Sequence, residues 1–173
     1  TTTSFIHSML KSAGVKCWLG GNIGVSLLEH VGEIEPTDWV VLELSSFQLH
    51  SLRRIDFRPD IAVVTNLAAN HLDWHKTESH YFGSKQAIVD SQTTSDACVL
   101  NATDSRIAEW RPDSRVISFG TPRTSNGDNF VCLANEQLTM QIDGASHSFR
   151  VSLDDRFPGE HNRLNLQAAI GAA

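Results

Sequence analysis

Asp38-Trp39-Val40-Val41-Leu42-Glu43-Leu44-Ser45-Ser46-Phe47-Gln48-Leu49 is the stretch on which the fold turns. Residues 38–42 form a nearly continuous apolar run, the pattern of a parallel strand covered on both faces. Glu43 follows at its end, where packing gives a carboxylate little reason to be. Open α/β sheets bind their ligands beyond the carboxyl ends of the strands, so Glu43 reads as a ligand-facing group.

Outward from this strand, near Asp38–Leu44, the order alternates. Further strands are expected near Val15–Leu19, Asp60–Thr65, Ala97–Asn101 and Arg115–Phe119, and helices near Val25–His30, Glu78–Ser91 and Ser105–Trp110. Thr1 to Ala13 reads as a helix with Phe5, Ile6, Met9, Leu10 and Ala13 on one face, and Asn162 to Ala173 is helical in pattern. Such alternation predicts an α/β domain, a mainly parallel sheet flanked by helices. From Asn129 to Leu153 the period switches to two. An antiparallel hairpin is expected there, with Leu138, Met140 and Ile142 facing Phe149, Val151 and Leu153 around Asp143-Gly144-Ala145-Ser146. The polar stretch from Thr121 to Asp128 reads as a surface connection.

Composition narrows the function classes. With 173 residues and 40% of them hydrophobic, the chain has enough apolar material for one well-covered core and too little length for two ordinary domains. Fourteen Lys and Arg against twenty Asp and Glu leave a formal charge of −6, with no basic cluster to neutralise a run of phosphates, so nucleic acid is not expected as a partner. No membrane-spanning run and no leader pattern are seen. Cys17, Cys98 and Cys132 sit apart in apolar, strand-like contexts and read as buried thiols of a reducing compartment, which predicts a cytoplasmic protein.

The chemistry-bearing residues are few. The strand Asp60–Thr65 runs into Asn66-Leu67-Ala68-Ala69-Asn70-His71-Leu72-Asp73, so Glu43 and His71 stand at two strand ends and could share a cation. Lys85, within the helical run Tyr81-Phe82-Gly83-Ser84-Lys85, has solvent exposure as its ordinary reading. Asn22, in Gly20-Gly21-Asn22-Ile23-Gly24, and Asn162 both have helix capping as a sufficient role. His71, Asp73 and His75 have a spacing that admits a metal-dependent hydrolase, though no thiolate joins them.

Glu43-Leu44-Ser45-Ser46-Phe47-Gln48-Leu49, Gly20-Gly21-Asn22-Ile23-Gly24 and the Asn66–Asp73 stretch together resemble the ATP-dependent Mur ligases of bacterial peptidoglycan synthesis, and within them the D-glutamate-adding branch. The resemblance covers nearly all of residues 1–173 and implies the P-loop NTPase-like central domain of a three-domain enzyme. Both ends then read as cut. A phosphate-binding Gly-rich loop would stand ahead of Thr1, and the last helix would stop short. The implied reaction is phosphorylation of the UDP-N-acetylmuramoyl-L-alanine carboxylate by ATP, followed by attack of the D-glutamate amine on the acyl phosphate.

The same resemblance implies roles for particular residues. Glu43, His71 and Lys85 would hold Mg2+ and carry catalysis, with Lys85 carbamylated by CO2. Thr1 and Thr2 would lie at the ATP phosphates, and Asn162 and Asn165 at the adenine. Asn22 and Ser45 would touch the muramoyl-peptide. Asn70 departs from the family pattern, which has Asp there, so an amide that donates and accepts replaces an acceptor-only carboxylate. Without its flanking domains the chain is expected to fold but not to turn over ATP. A non-catalytic nucleotide-sugar binding module remains the third reading beside ligase and hydrolase.

Overall fold

Helix α1 (Thr2–Ser12) opens the chain and turns back through Gly14, where Val15 donates its N–H to the Leu10 carbonyl, into β1 (Cys17–Gly21). This computed structural model describes residues 1–24, 26–68, 70–121, 128–152 and 159–173. Of the expectations above, Val25, Ala69, residues 122–127 and Leu153 lie outside them.

β1 pairs in parallel with β2 (Trp39–Glu43), Cys17 opposite Trp39 and Gly21 opposite Glu43. Asp38 ties the pair at its start, accepting from the Trp18 indole N–H at 2.8 Å and facing the Lys16 ammonium at 2.7 Å. The expected helix at Val25–His30 is instead a 3-10 turn, Leu27–Glu33, entered through the Ser26 side chain. Ser26, not Asn22, is the capping residue there. After β2 come α2 (Ser46–Leu52), β3 (Ile61–Val64), the short α3 (Leu72–His75) and α4 (Glu78–Asp90). β4 (Ala97–Asn101), α5 (Ser105–Ala108) and β5 (Arg115–Phe119) continue the alternation. β6 (Asn129–Ala134), β7 (Gln137–Ile142), β8 (Ala145–Arg150) and α6 (Glu160–Ala172) complete it.

The expected single sheet is two. β1 and β2 stand as a pair, and β3-β4-β5-β6-β7-β8 form a six-stranded sheet, parallel through β6 and antiparallel beyond. Parallel strands buried on both faces account for β4, every residue of which is buried. Its Cys98 and Leu100 pack with Val64, Val89 and Ile107 on one face, while Val99 packs with Ile117, Val131 and Ala168 on the other. β2 contradicts the expectation of full cover, since Trp39, Val40 and Leu42 are 44%, 41% and 39% exposed. Only Val41 is buried, against Ile6 of α1 and Ala169 of α6.

The hairpin exists with a different register. Its turn is Asp143-Gly144, both with positive φ, the two-residue geometry that matches strand twist. Leu138 faces Phe149 as expected, but Met140 faces His147 and Ile142 faces Ala145. Val151 lies past the end of β8. Cys98 and Cys132 are buried free thiols, whereas Cys17 is only half-buried.

Candidate functional site

Glu43 is held at both ends of its own structure. Its carbonyl accepts the Asn22 N–H at 2.7 Å, and its Oε2 accepts the Thr3 hydroxyl at 2.9 Å. The close approach needs glycine at 21, where φ is +94° and an added Cβ would lie 2.2 Å from the Glu43 carbonyl oxygen. One Thr3 hydrogen bond leaves Oε1 of the carboxylate for another partner.

α1 supplies the neighbouring hydroxyls. Thr2 donates to Asn165 Oδ1 of α6 at 3.0 Å, and Thr1 to Thr3 line one groove together with Glu43, Asn66, Lys85 and Asn165. Lys85 reaches this groove from α4, its Nζ 5.5 Å from the centre of the Tyr81 ring. Burial disfavours its charged form and pulls its pKa below the ordinary lysine value. No carboxylate pairs with it among the described residues, so solvent exposure does not describe this lysine.

His71 stands apart from that groove. It precedes α3 in the left-handed conformation, φ 53°, with its N–H on Asn70 Oδ1 at 2.8 Å and its ring 5.0 Å from Phe47. The Asn70 oxygen doing this is one an aspartate would also supply. Ser45 serves as the N-cap of α2, its hydroxyl accepting from the Gln48 N–H while Gln48 Oε1 accepts the Ser45 N–H at 2.8 Å. Asn22 is exposed, fixed through its backbone. The N-cap of α6 is Gly159, so Asn162 lies inside the first turn rather than capping it.

His75 has a packing role. It is buried among aromatic rings, with Nε2 2.9 Å from the Ser46 hydroxyl, and Nδ1 finds no partner among the described residues. Burial, then the nearby His80, His50 and His71, push its pKa down. Among the described residues no three His, Cys, Asp or Glu side chains come together as a metal cage, so the His71, Asp73 and His75 set is not assembled.

Thr3 is the residue that sequence reasoning missed. Its period on α1 marked it as neither core nor site, and only the fold brings it to Glu43. Threonine and asparagine oxygens beside a carboxylate form a hard donor set, the kind magnesium takes while keeping several waters. Glu43, Thr1, Thr2 and Thr3 thus fit such an ion, and the Lys85 amine, its pKa drawn down by burial, is of the kind that takes up CO2.

The profile of the Mur ligase middle domain matches residues 1–173. UDP-N-acetylmuramoylalanine--D-glutamate ligase of Acetivibrio thermocellus is 40% identical over 174 residues, covering 99% of this chain and 36% of that protein. The chain therefore spans little more than a third of that relative's length. Among solved structures, MurF from Acinetobacter baumannii superposes with a TM-score of 0.65 at 20% identity, covering 98% of this chain and 39% of that one. The MurF ligase of Thermotoga maritima in complex with ADP gives 0.61 at 16% identity, covering 98% and 41%. The mainly parallel α/β architecture is common to them. This chain belongs to the Mur ligases, as a middle domain.

Proposed function

We propose that the chain is the central, ATP-using domain of a ligase that adds D-glutamate to UDP-N-acetylmuramoyl-L-alanine in cytoplasmic peptidoglycan synthesis. The observation that carries this is the convergence of the α1 threonines, Glu43 and Lys85 on one groove at the carboxyl end of β2. The relative of 40% identity bears the D-glutamate ligase name, which supports the choice of amino acid.

In this reading the domain spans residues 1–173, a phosphate-cradling loop lies directly ahead of Thr1, and flanking domains bring the uridine and D-glutamate pockets. Bound Mg2+ would offset charge on the transferring phosphoryl group and on the substrate carboxylate. Glu43 would hold one ion in the groove, and His71, which lies outside that groove, would meet a second, as the family resemblance implies. Thr1 and Thr2 meet the phosphates, while Asn165, braced by Thr2, and Asn162 border the base. Asn22 and Ser45 face the muramoyl-peptide. Lys85, whose charged form burial disfavours, would supply the amine for carbamylation, and the carbamate oxygens would help orient an ion.

The test is a product assay on the longer protein with ATP, UDP-N-acetylmuramoyl-L-alanine and a panel of amino acids. ADP release that requires D-glutamate is expected, and Glu43→Gln should cut kcat/KM by about 10²-fold or more. Equal turnover with another amino acid would overturn the assignment. The 173-residue chain alone should fold without amide ligation, because catalysis needs phosphate, sugar and amine held together.

A further inference from the structure

His75 is 1% exposed, and its Nδ1 has no partner among the described residues. Buried polar atoms left unpaired are uncommon and cost stability. A phenylalanine would fill the same space, against Phe47, Trp74 and Tyr81, without that cost. What histidine adds is one directional contact, Nε2 to the Ser46 hydroxyl at 2.9 Å. That contact joins two segments that carry candidate site residues.

On one side stands α2. Glu43 ends β2, and Ser45 follows as the N-cap of α2, with a capping box that fixes the first turn. Ser46, itself buried, and Phe47 occupy that turn. Their places are thereby tied to Glu43 through the chain.

On the other side stands α3. Its four residues are too few to hold a helix by themselves, and it is entered at His71 with φ 53° and left at Lys76 with φ 64°, conformations disfavoured for residues with a Cβ. The His71 carbonyl accepts from the amides of Trp74 and His75, at 3.1 and 2.9 Å. The turn that presents His71 therefore closes on His75. Ahead of the loop, Asn101 holds the Thr65 carbonyl at 2.7 Å and Asp104 the Leu67 N–H at 3.0 Å. After His71, the first buried side chain is that of His75. The His71 ring lies 5.0 Å from Phe47, and Phe47 in turn stacks on the His75 ring at 5.4 Å.

We infer that His75 is a positioning residue: through its bond to Ser46 it sets the left-handed turn at His71 relative to the end of β2, and so the spacing between Glu43 and His71. A stacked ring can slide over Phe47, whereas a hydrogen bond between buried atoms holds α3 in one rotation. No proton transfer and no substrate contact is assigned to His75. The inference rests on the reading that His71 acts in the ligation, and it says what keeps that side chain in place.

The experiment uses the longer protein. Ser46→Ala combined with His75→Phe removes both partners of the bond, keeps the ring stack and leaves neither side chain with an unpaired polar atom, so the unfolding temperature should stay close to that of the parent. The amides at positions 74 and 75, which report the His71 turn, should exchange about 10-fold faster or more, while those of 84–89 in α4 keep their rates. kcat should fall by about 10-fold or more, because the reacting groups must be held in one geometry. Ser46→Ala alone, which leaves α3 untouched, should show both effects. Unchanged exchange at 74 and 75, or a normal kcat beside faster exchange, would overturn the positioning role. His71→Ala is the reference. Its loss of activity beside a normal double variant defeats the inference alone, whereas its full activity defeats the reading of His71 and the positioning role with it.

Discussion

Thr3 and Glu43, forty positions apart, meet at 2.9 Å where the first turn of α1 reaches the end of β2. The bond uses one carboxylate oxygen of a residue that, like Lys85, lines the groove.

Removing that hydroxyl tests what the bond does. Thr3→Val in the longer protein keeps shape and loses a hydrogen bond to a charged acceptor, worth about 1.5–3 kcal/mol. We expect kcat/KM to fall by about 10-fold or more and the Mg2+ concentration for half-maximal activity to rise. Calorimetric titration of Mn2+ as a Mg2+ stand-in should show weaker binding, beside a fall of several degrees in unfolding temperature from the lost bond. Unchanged metal affinity would make Thr3 a packing residue.

The turn before Asn22 allows a backbone test. Gly21→Ala must place a Cβ against the Glu43 carbonyl at positive φ, and should cost about 2 kcal/mol or more in denaturant unfolding. Gly14→Ala is the control, because its φ is +77° yet nothing lies within 4 Å of the added Cβ. It should cost about 1 kcal/mol. Equal losses would mean that the close approach at Gly21 is relieved.

Lys85 carries two expectations. In the longer protein Lys85→Ala should lose most activity, formate or acetate should restore part of it where chloride does not, and Lys85→Arg should fail because a guanidinium cannot take up CO2. In the 173-residue chain, the depressed pKa means the unfolded state holds the proton more tightly. Stability should therefore rise with pH from the folded value up to 10.5, the ordinary lysine value. Lys85→Met should unfold at a higher temperature than the parent chain at pH 7, with the gap closing toward pH 10.5. A gap independent of pH would contradict the burial cost.

His75 should make the fold sensitive to acid. Its folded pKa is lowered, so the stability it contributes is present above 6.5 and is lost as pH falls from there toward the folded value. Melting temperatures between pH 7.5 and 5 should drop more steeply for the parent chain than for His75→Gln. Parallel curves would place the acid sensitivity elsewhere.

Much of this was readable before the fold was seen. The apolar run ending in Glu43, the strand at Ala97–Asn101 with its continuous burial and the helix carrying Lys85 all follow from local pattern. The helix Ser46–Leu52 went unread although Ser45 and Gln48 form its capping box, because the same residues drew attention as a family signature. The hairpin register was missed for a physical reason. Phe149 is 53% exposed, so alternation in β8 does not report a buried face. The placing of His71 beside Phe47, through a left-handed backbone, was not legible, because no periodicity predicts such a turn. Thr3 was invisible, since only tertiary packing brings it across from α1.

Glu43 is gripped through its main chain by the β1 turn and through its side chain by α1. One residue therefore acts as the gauge between two loading points: the span from the α1 hydroxyls to the Asn22 amide is the length of a single glutamate. A shorter acid, Asp, could keep the carbonyl contact or the hydroxyl contact but would not bridge the same distance to both.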